Sequence, residues 1–126
     1  MKREDELSRE IIGAAIEVHR HLGPGLLESS YEECLCHELF LRGLRFERQT
    51  PLTVKYKSVE LDCAYRLDIV VEQGVVLELK SVERILPIHE AQLLTYLRLM
   101  QCKLGMLLNF NVPLMKQGIR RVVNGL

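Results

Sequence analysis

The chain has 126 residues, of which 48% are hydrophobic and 27% charged, and its 17 Lys and Arg balance its 17 Asp and Glu. This length fits one domain over residues 1–126, and the composition excludes disordered, collagen-like and coiled-coil chains. A net charge of zero argues against non-specific wrapping of nucleic acid, although it leaves room for a local basic patch.

The sequence lacks the patterns of membrane-spanning and secreted proteins. No apolar stretch is long enough to span a bilayer, and the charged start Met1-Lys-Arg-Glu-Asp-Glu has no signal-peptide core. The cysteines lack the spacing of a zinc site or a disulfide framework; they are Cys34, Cys36, Cys63 and Cys102. We therefore expect a soluble, cytoplasmic protein whose thiols are isolated and buried.

The first third of the chain is predicted to form two helices. Apolar residues recur at helical spacing over residues 5–21, and Gly23-Pro24-Gly25 ends that helix. A second helix is expected to begin near Ser29 or Ser30, because each has a glutamate three residues later, the spacing of a capping box. The histidines of these helices are expected at the surface; they are His19, His21 and His37.

From Leu44 the apolar period changes to two, which predicts strands. The predicted strands cover residues 45–49, 53–57, 60–71, 75–80 and 105–110, and a helix covers 87–100. Residues 117–124 fit a strand or a helix, and their β-branched side chains favour the strand. The order of two helices, four strands, a helix and two strands predicts an α+β fold with a mixed sheet.

The hairpin around Gly74 holds the residues most able to carry chemistry. Glu78 and Lys80 are two apart on a strand and therefore share a face. A two-residue turn would send Asp68 to the opposite face, whereas a three-residue loop with a left-handed Gly74 aligns Asp68 with Glu78. The glycine favours the three-residue loop, which predicts that two carboxylates and an ammonium converge.

A divalent cation would explain why apolar strands tolerate two facing carboxylates. The carboxylates repel each other, and Mg²⁺ accepts a few hard oxygen ligands while it keeps several waters. A lysine beside the cation could orient or help deprotonate an attacking water. Because two acids and a lysine at such spacings are common by chance, the pattern gains weight only from its apolar strands and compatible turn.

At these residues the chain resembles the PD-(D/E)XK nuclease superfamily, with Asp68 and Glu78-Leu79-Lys80 in its motif positions. Leu67 stands where the superfamily's name has proline, a departure that leaves the metal ligands intact.

Upstream, Gly25-Leu-Leu-Glu28-Ser-Ser-Tyr31 is similar to the Gly-x-x-Glu-x-x-Tyr pattern of a group of small bacterial proteins, the GxxExxY proteins, within that superfamily. The segments around Gln92 and around Asn109 also look like that group, so the resemblance covers nearly the whole chain.

The resemblance implies a restriction-endonuclease-like fold, with an αβββαβ core and a central mixed sheet flanked by helices. It also implies a metal-dependent endo- or exonuclease acting on DNA or RNA. In the family pattern Mg²⁺ or Mn²⁺ would be held by three ligands: the carboxylates of Asp68 and Glu78 and the backbone carbonyl of Leu79. Glu28 would be a further acidic ligand or would orient water.

The remaining implied roles fall on a lysine and on the helix after the hairpin. Lys80 would position and activate the nucleophilic water, and Gln92 would contact a phosphate or a metal-bound water. His89, Gln92 and Tyr96 lie at i, i+3 and i+7, which predicts one polar helix face.

Simpler roles remain open for these residues. Glu28 also fits a helix-entry charge, Gln92 a solvated helix residue, and Lys80 a partner that neutralises Glu78. His89 fits local hydrogen bonding near a helix start.

The alternative function is a catalytically silent nucleic-acid- or protein-binding module on the same fold. A domain of this size offers limited surface for a duplex, so a homodimer or a partner protein is compatible with either function.

Overall fold

The computed structural model describes residues 2–61 and 65–125. Its helices are α1 (Lys2–Leu22), α2 (Glu28–Leu41), α3 (Pro87–Met100) and a 3-10 turn at Met115–Gly118. Its strands are β1 (Phe46–Pro51), β2 (Val54–Tyr56), β3 (Val59–Leu61), β4 (Arg66–Val71), β5 (Val75–Lys80), β6 (Leu104–Asn109) and β7 (Ile119–Val123).

Five strands form the central sheet in the order β1-β4-β5-β6-β7. Only β5 and β6 run parallel, because α3 connects them, and the other neighbours are antiparallel. The sheet is therefore mixed, and the predicted α+β, restriction-endonuclease-like architecture is confirmed. Among the described residues, strands β2 and β3 pair only with each other, as a separate two-stranded sheet.

Each face of the sheet is covered by helix. On one face, α1 and α2 pack against β4, β5 and β6 around residues such as Ile11, Leu35 and Leu77. On the other face, α3 packs with Leu93 and Leu97 against Val76. Two apolar cores thus enclose β5, whose first five residues are buried. No helix in the described part of the chain is long and apolar enough to cross a membrane.

The predicted bounds are confirmed for β5 and α3, and the final strand is confirmed as β7. The single long strand over residues 60–71 is wrong, because the chain there supplies β3 to the small sheet and β4 to the main one; residues 62–64 between them, with Cys63, lie outside the described residues. The capping box is also wrong: α2 begins at Glu28, and its N-cap residue Leu27 makes no side-chain hydrogen bond.

The prediction that His19 lies at the surface is wrong. Its side chain is buried, and its Nε2 donates to the carbonyl of Val112 at 2.8 Å. His21 and His37 are exposed, as predicted. Of the cysteines that the structure describes, Cys36 and Cys102 are buried and Cys34 is half-buried.

Candidate functional site

The β4–β5 hairpin has the predicted register but a different turn. Val71 pairs with Val75 and Ile69 with Leu77, which the three-residue loop requires. The left-handed residues, however, are Glu72 (φ 50°) and Gln73 (φ 55°), and Gly74 is not left-handed, so that prediction is wrong.

Contacts with β1 and α1 account for this turn. Glu72 exchanges two hydrogen bonds with the backbone of Arg45: its N–H donates at 2.9 Å and its carboxylate accepts at 2.7 Å. A Cβ at Gly74 would lie 3.2 Å from Nη1 of Arg3. The glycine therefore leaves room for the arginine side chain, which donates to the carbonyl of Glu72 at 2.8 Å.

Beyond Ile69 and Leu77, the hydrogen bonds between β4 and β5 pass through two carboxylates. The backbone N–H of Asp68 donates to Oε2 of Glu78 at 2.9 Å, and the N–H of Leu79 donates to Oδ2 of Asp68 at 2.8 Å. Opposite Asp68, β1 places Gln49 at φ 50°. The backbone pairing of β4 with β5 thus ends at Ile69 and Leu77, and the two acidic side chains lie in the gap between these strands.

Burial disfavours the charged forms of both acids. Burial, followed by the charge of Asp68, raises the pKa of Glu78 to about 8. Burial also raises the pKa of Asp68, while the Leu79 N–H and the charge of Lys80 act in the opposite direction. Near neutral pH the pair therefore tends to keep a proton unless a cation compensates the second charge.

Glu28 reaches the end of β5 from the start of α2. Its Oε2 accepts from the backbone N–H of Ser81 at 3.1 Å, one residue after Lys80, and its charge raises the pKa of Asp68. The hydroxyl of Ser81 donates to the carbonyl of Leu26 at 2.7 Å. Two hydrogen bonds therefore hold the loop before α2 against the exit of β5.

Tyr31 holds the same loop from inside. Its side chain is fully buried, and its hydroxyl donates to the carbonyl of Gly23 at 2.6 Å and accepts from the N–H of Leu26 at 3.1 Å. The ring stacks on Phe110, with 4.4 Å between ring centroids. Gly25 has a φ of 97°, a conformation that favours glycine. The glycine and tyrosine of the motif thus shape the loop that presents Glu28.

The side chain of Asn109 continues the contacts between β5 and β6 beyond the last residue pair of the two strands. Lys80 pairs with Asn109, and the carbonyl of Lys80 accepts from the N–H of Phe110 at 3.0 Å. The buried Asn109 amide then accepts from the N–H of Val82 at 3.1 Å and donates to its carbonyl at 3.0 Å. This clamp fixes the backbone on both sides of Ser81, the residue bound to Glu28.

The structure does not bring every predicted residue to the carboxylates. Gln92 is exposed on α3, and its side chain makes no hydrogen bond within the described residues. Nδ1 of His89 accepts from the N–H of Leu86 at 3.0 Å, which is the local role expected near a helix start. Within residues 2–61 and 65–125, no group of three or more His, Cys, Asp or Glu is close enough to hold a metal ion.

Two residues beside the site have no catalytic or metal-binding role in the sequence analysis, and the prediction that Tyr96 lies on a polar face of α3 is wrong, because its side chain belongs to the apolar core beneath that helix. Tyr96 of α3 is buried, and burial followed by the charge of Glu78 raises its pKa. Glu32 is buried on α2, where its carboxylate binds Arg48 at 2.9 Å and Gln49 at 2.8 Å, and its charge raises the pKa of Asp68. The sequence feature that could have pointed to Glu32 is its position, one helical turn after Glu28.

Comparison with known proteins gives one match. The family model described as the PD-(D/E)XK nuclease superfamily matches residues 5–122. No curated protein and no solved structure matches the chain significantly. The match spans nearly the whole chain, including both strands that carry Asp68 and Glu78. The chain therefore belongs to the PD-(D/E)XK nuclease superfamily.

Proposed function

We propose that this protein is a metal-dependent nuclease that hydrolyses phosphodiester bonds of DNA or RNA. The observation that carries the proposal is the pair of carboxylates, Asp68 and Glu78, held together in the gap between β4 and β5. On the motif around Glu28 we further propose a bacterial enzyme of the GxxExxY group, which acts in the cytoplasm and in which residues 1–126 act as one nuclease-like domain.

The chemistry of the donor set fits Mg²⁺ or Mn²⁺. Each carboxylate uses one oxygen to accept a backbone N–H, and no N–H of the described residues donates to the other oxygens, Oδ1 of Asp68 and Oε1 of Glu78. Mg²⁺ binds through one or two carboxylates and keeps several waters. Asp68 and Glu78, with the carbonyl of Leu79, would hold the cation, which would supply positive charge against the scissile phosphate.

The remaining residues would act on water and phosphate. Lys80 is close enough for its charge to lower the pKa of both acids, and we assign it to positioning the water that attacks phosphorus. Glu28, fixed by Ser81, would orient that water or add a ligand. Gln92 would contact the phosphate from α3. Attack of water forms a new P–O bond and breaks the bond to the leaving oxygen, which takes up a proton.

A cleavage assay with matched lysine variants tests the function. The parent, Lys80→Ala and Lys116→Ala are incubated with single- and double-stranded DNA and RNA in Mg²⁺, Mn²⁺ or EDTA. Lys116 is exposed on the 3-10 turn and serves as the control. We expect metal-dependent cleavage by the parent and by Lys116→Ala, and cleavage at least about 100-fold slower by Lys80→Ala.

One observation favours a second candidate, a catalytically silent module that binds nucleic acid or a partner protein. Glu28 is engaged by Ser81, and the described residues contain no ready-made group of three metal ligands. No cleavage under any condition, together with no calorimetric heat of Mg²⁺ or Mn²⁺ binding, would reject the nuclease in favour of this module.

A further inference from the structure

The small sheet forms an arm beside the carboxylates. We define the arm as residues 54–61 together with Tyr65 and Arg66. Every residue of β2 and β3 except the half-buried Val54 is exposed. The base of the arm is anchored where the N–H of the buried Leu52 donates to the carbonyl of Tyr65 at 3.0 Å, three residues before Asp68. A two-stranded sheet alone is marginally stable in water, so an exposed arm suggests a binding role.

The arm concentrates the few tyrosines of the chain near the site. Of the four tyrosines in the sequence, Tyr56 and Tyr65 lie on the arm and are 63% and 48% exposed. The ring of Tyr65 lies 6.4 Å from that of Tyr96 of α3, centroid to centroid. Val76 packs against α3, and Glu78 lies two residues further along β5, so it is on the same face of the sheet. Tyr65 therefore brings the arm to the face of the sheet that carries Glu78.

The cations of the arm are not neutralised by carboxylates of the described residues. Lys55, Lys57 and Arg66 form no salt bridge with any carboxylate of residues 2–61 and 65–125. The ammonium of Lys57 instead lies 5.3 Å from the centroid of the Tyr56 ring. Ammonium groups next to exposed rings match the phosphates and bases of nucleic acid.

We propose that the arm binds a single-stranded segment of nucleic acid and guides it to the carboxylates, an inference that rests on the proposed nuclease function. Unpaired bases offer free faces to Tyr56 and Tyr65, whereas the bases of a duplex are already stacked on each other. Lys55 and Lys57 bind the phosphates of the same strand. The arm thereby adds surface to a small domain whose net charge is zero.

Fluorescence anisotropy in EDTA measures this binding without cleavage. The probes are fluorescein-labelled 20-nucleotide DNA and RNA strands and the blunt DNA duplex of the same sequence. The proteins are the parent, Tyr56→Ala, the double variant Lys55→Ala/Lys57→Ala, and Phe40→Ala. Phe40 is a suitable control because it is an equally exposed aromatic, at 68%, on α2. Circular dichroism verifies that each variant is folded.

We expect the parent and Phe40→Ala to bind single strands more tightly than the duplex. Loss of one base stack in Tyr56→Ala should weaken single-strand binding about 5-fold or more. The double lysine variant should lower the slope of log affinity against log salt by about 1.4, the value for two phosphate contacts on a single strand.

Equal single-strand affinities for Tyr56→Ala and Phe40→Ala would overturn the inference, as would a change of oligomeric state in Tyr56→Ala without a change in oligonucleotide binding. The second result would instead mark a protein interface. If the arm variants bind normally while the parent cleaves in Mg²⁺, the inference fails and the nuclease function stands. If the arm variants lose binding while the parent never cleaves, the binding of single strands by the arm stands and the nuclease function fails.

Discussion

A substitution at Asp68 distinguishes a structural role of the acidic pair from a metal-binding role. Asn in its place keeps an oxygen that accepts the N–H of Leu79 and removes the charge that repels Glu78. We expect Asp68→Asn to leave the melting temperature in EDTA unchanged or to raise it by a few degrees. Glu47→Gln, on an exposed residue of β1 that makes no side-chain hydrogen bond in the described structure, is the control. A fall of about 5 °C or more in Asp68→Asn alone would mean that Asp68 is structural.

Glu78 should make the stability of the metal-free protein depend on pH. Its pKa rises from 4.5 to about 8 on folding, so the folded state binds the proton more tightly than the unfolded chain does. The contribution of Glu78 to the free energy of unfolding is fully present below about pH 4.5, and it is lost as the pH rises to about 8.

Denaturant unfolding in EDTA at pH 5.5 and pH 8.5 measures this dependence. The parent should lose on the order of 1–3 kcal/mol more than Glu78→Gln between the two pH values. Equal losses in the two proteins would show that Glu78 titrates normally.

At the scale of elements, the loop before α2 depends on the hydroxyl of Tyr31. Tyr31→Phe keeps the stack on Phe110 and removes the bonds to Gly23 and Leu26. We expect a loss of about 1–2 kcal/mol in the free energy of unfolding. Amide hydrogen exchange at Ser81 should also be faster, because the loop no longer holds Glu28 in place.

Tyr56→Phe is the matched control for this variant, since the Tyr56 side chain is exposed and its hydroxyl makes no hydrogen bond in the described structure. If both Tyr→Phe changes have the same effect on stability and on exchange at Ser81, the loop does not depend on the Tyr31 hydroxyl.

The elements that sequence predicts well are those with strong local signals. The apolar, partly β-branched run of β5 and the apolar stripe of α3, with Pro87 in its first turn, indicate both elements with their observed bounds. The start of α2 and the turn at Gly74 are wrong because distant contacts decide them. Ser81 and Tyr31 fix the entry to α2, and Arg45 fixes the turn.

At the scale of the molecule, the site lies where both helical layers meet the end of the sheet. Once the loop has three residues, residue counting along the hairpin brings Asp68 to Glu78, and the observed register confirms that loop length although Gly74 is not left-handed. Glu32 and Tyr96 cannot be found in this way, since they arrive on α2 and α3 from opposite faces. Their placement depends on how the helices pack, which local periodicity does not determine.

The proposed function requires Asp68 and Glu78 to hold a divalent cation together. Isothermal titration of Mn²⁺ and Mg²⁺ into the parent, Glu78→Gln and Glu47→Gln tests it most directly, because binding is measured without any assumption about the substrate. We expect one bound cation for the parent and for Glu47→Gln, and binding at least about tenfold weaker for Glu78→Gln. No binding by the parent, or equal affinity in Glu78→Gln, would contradict it.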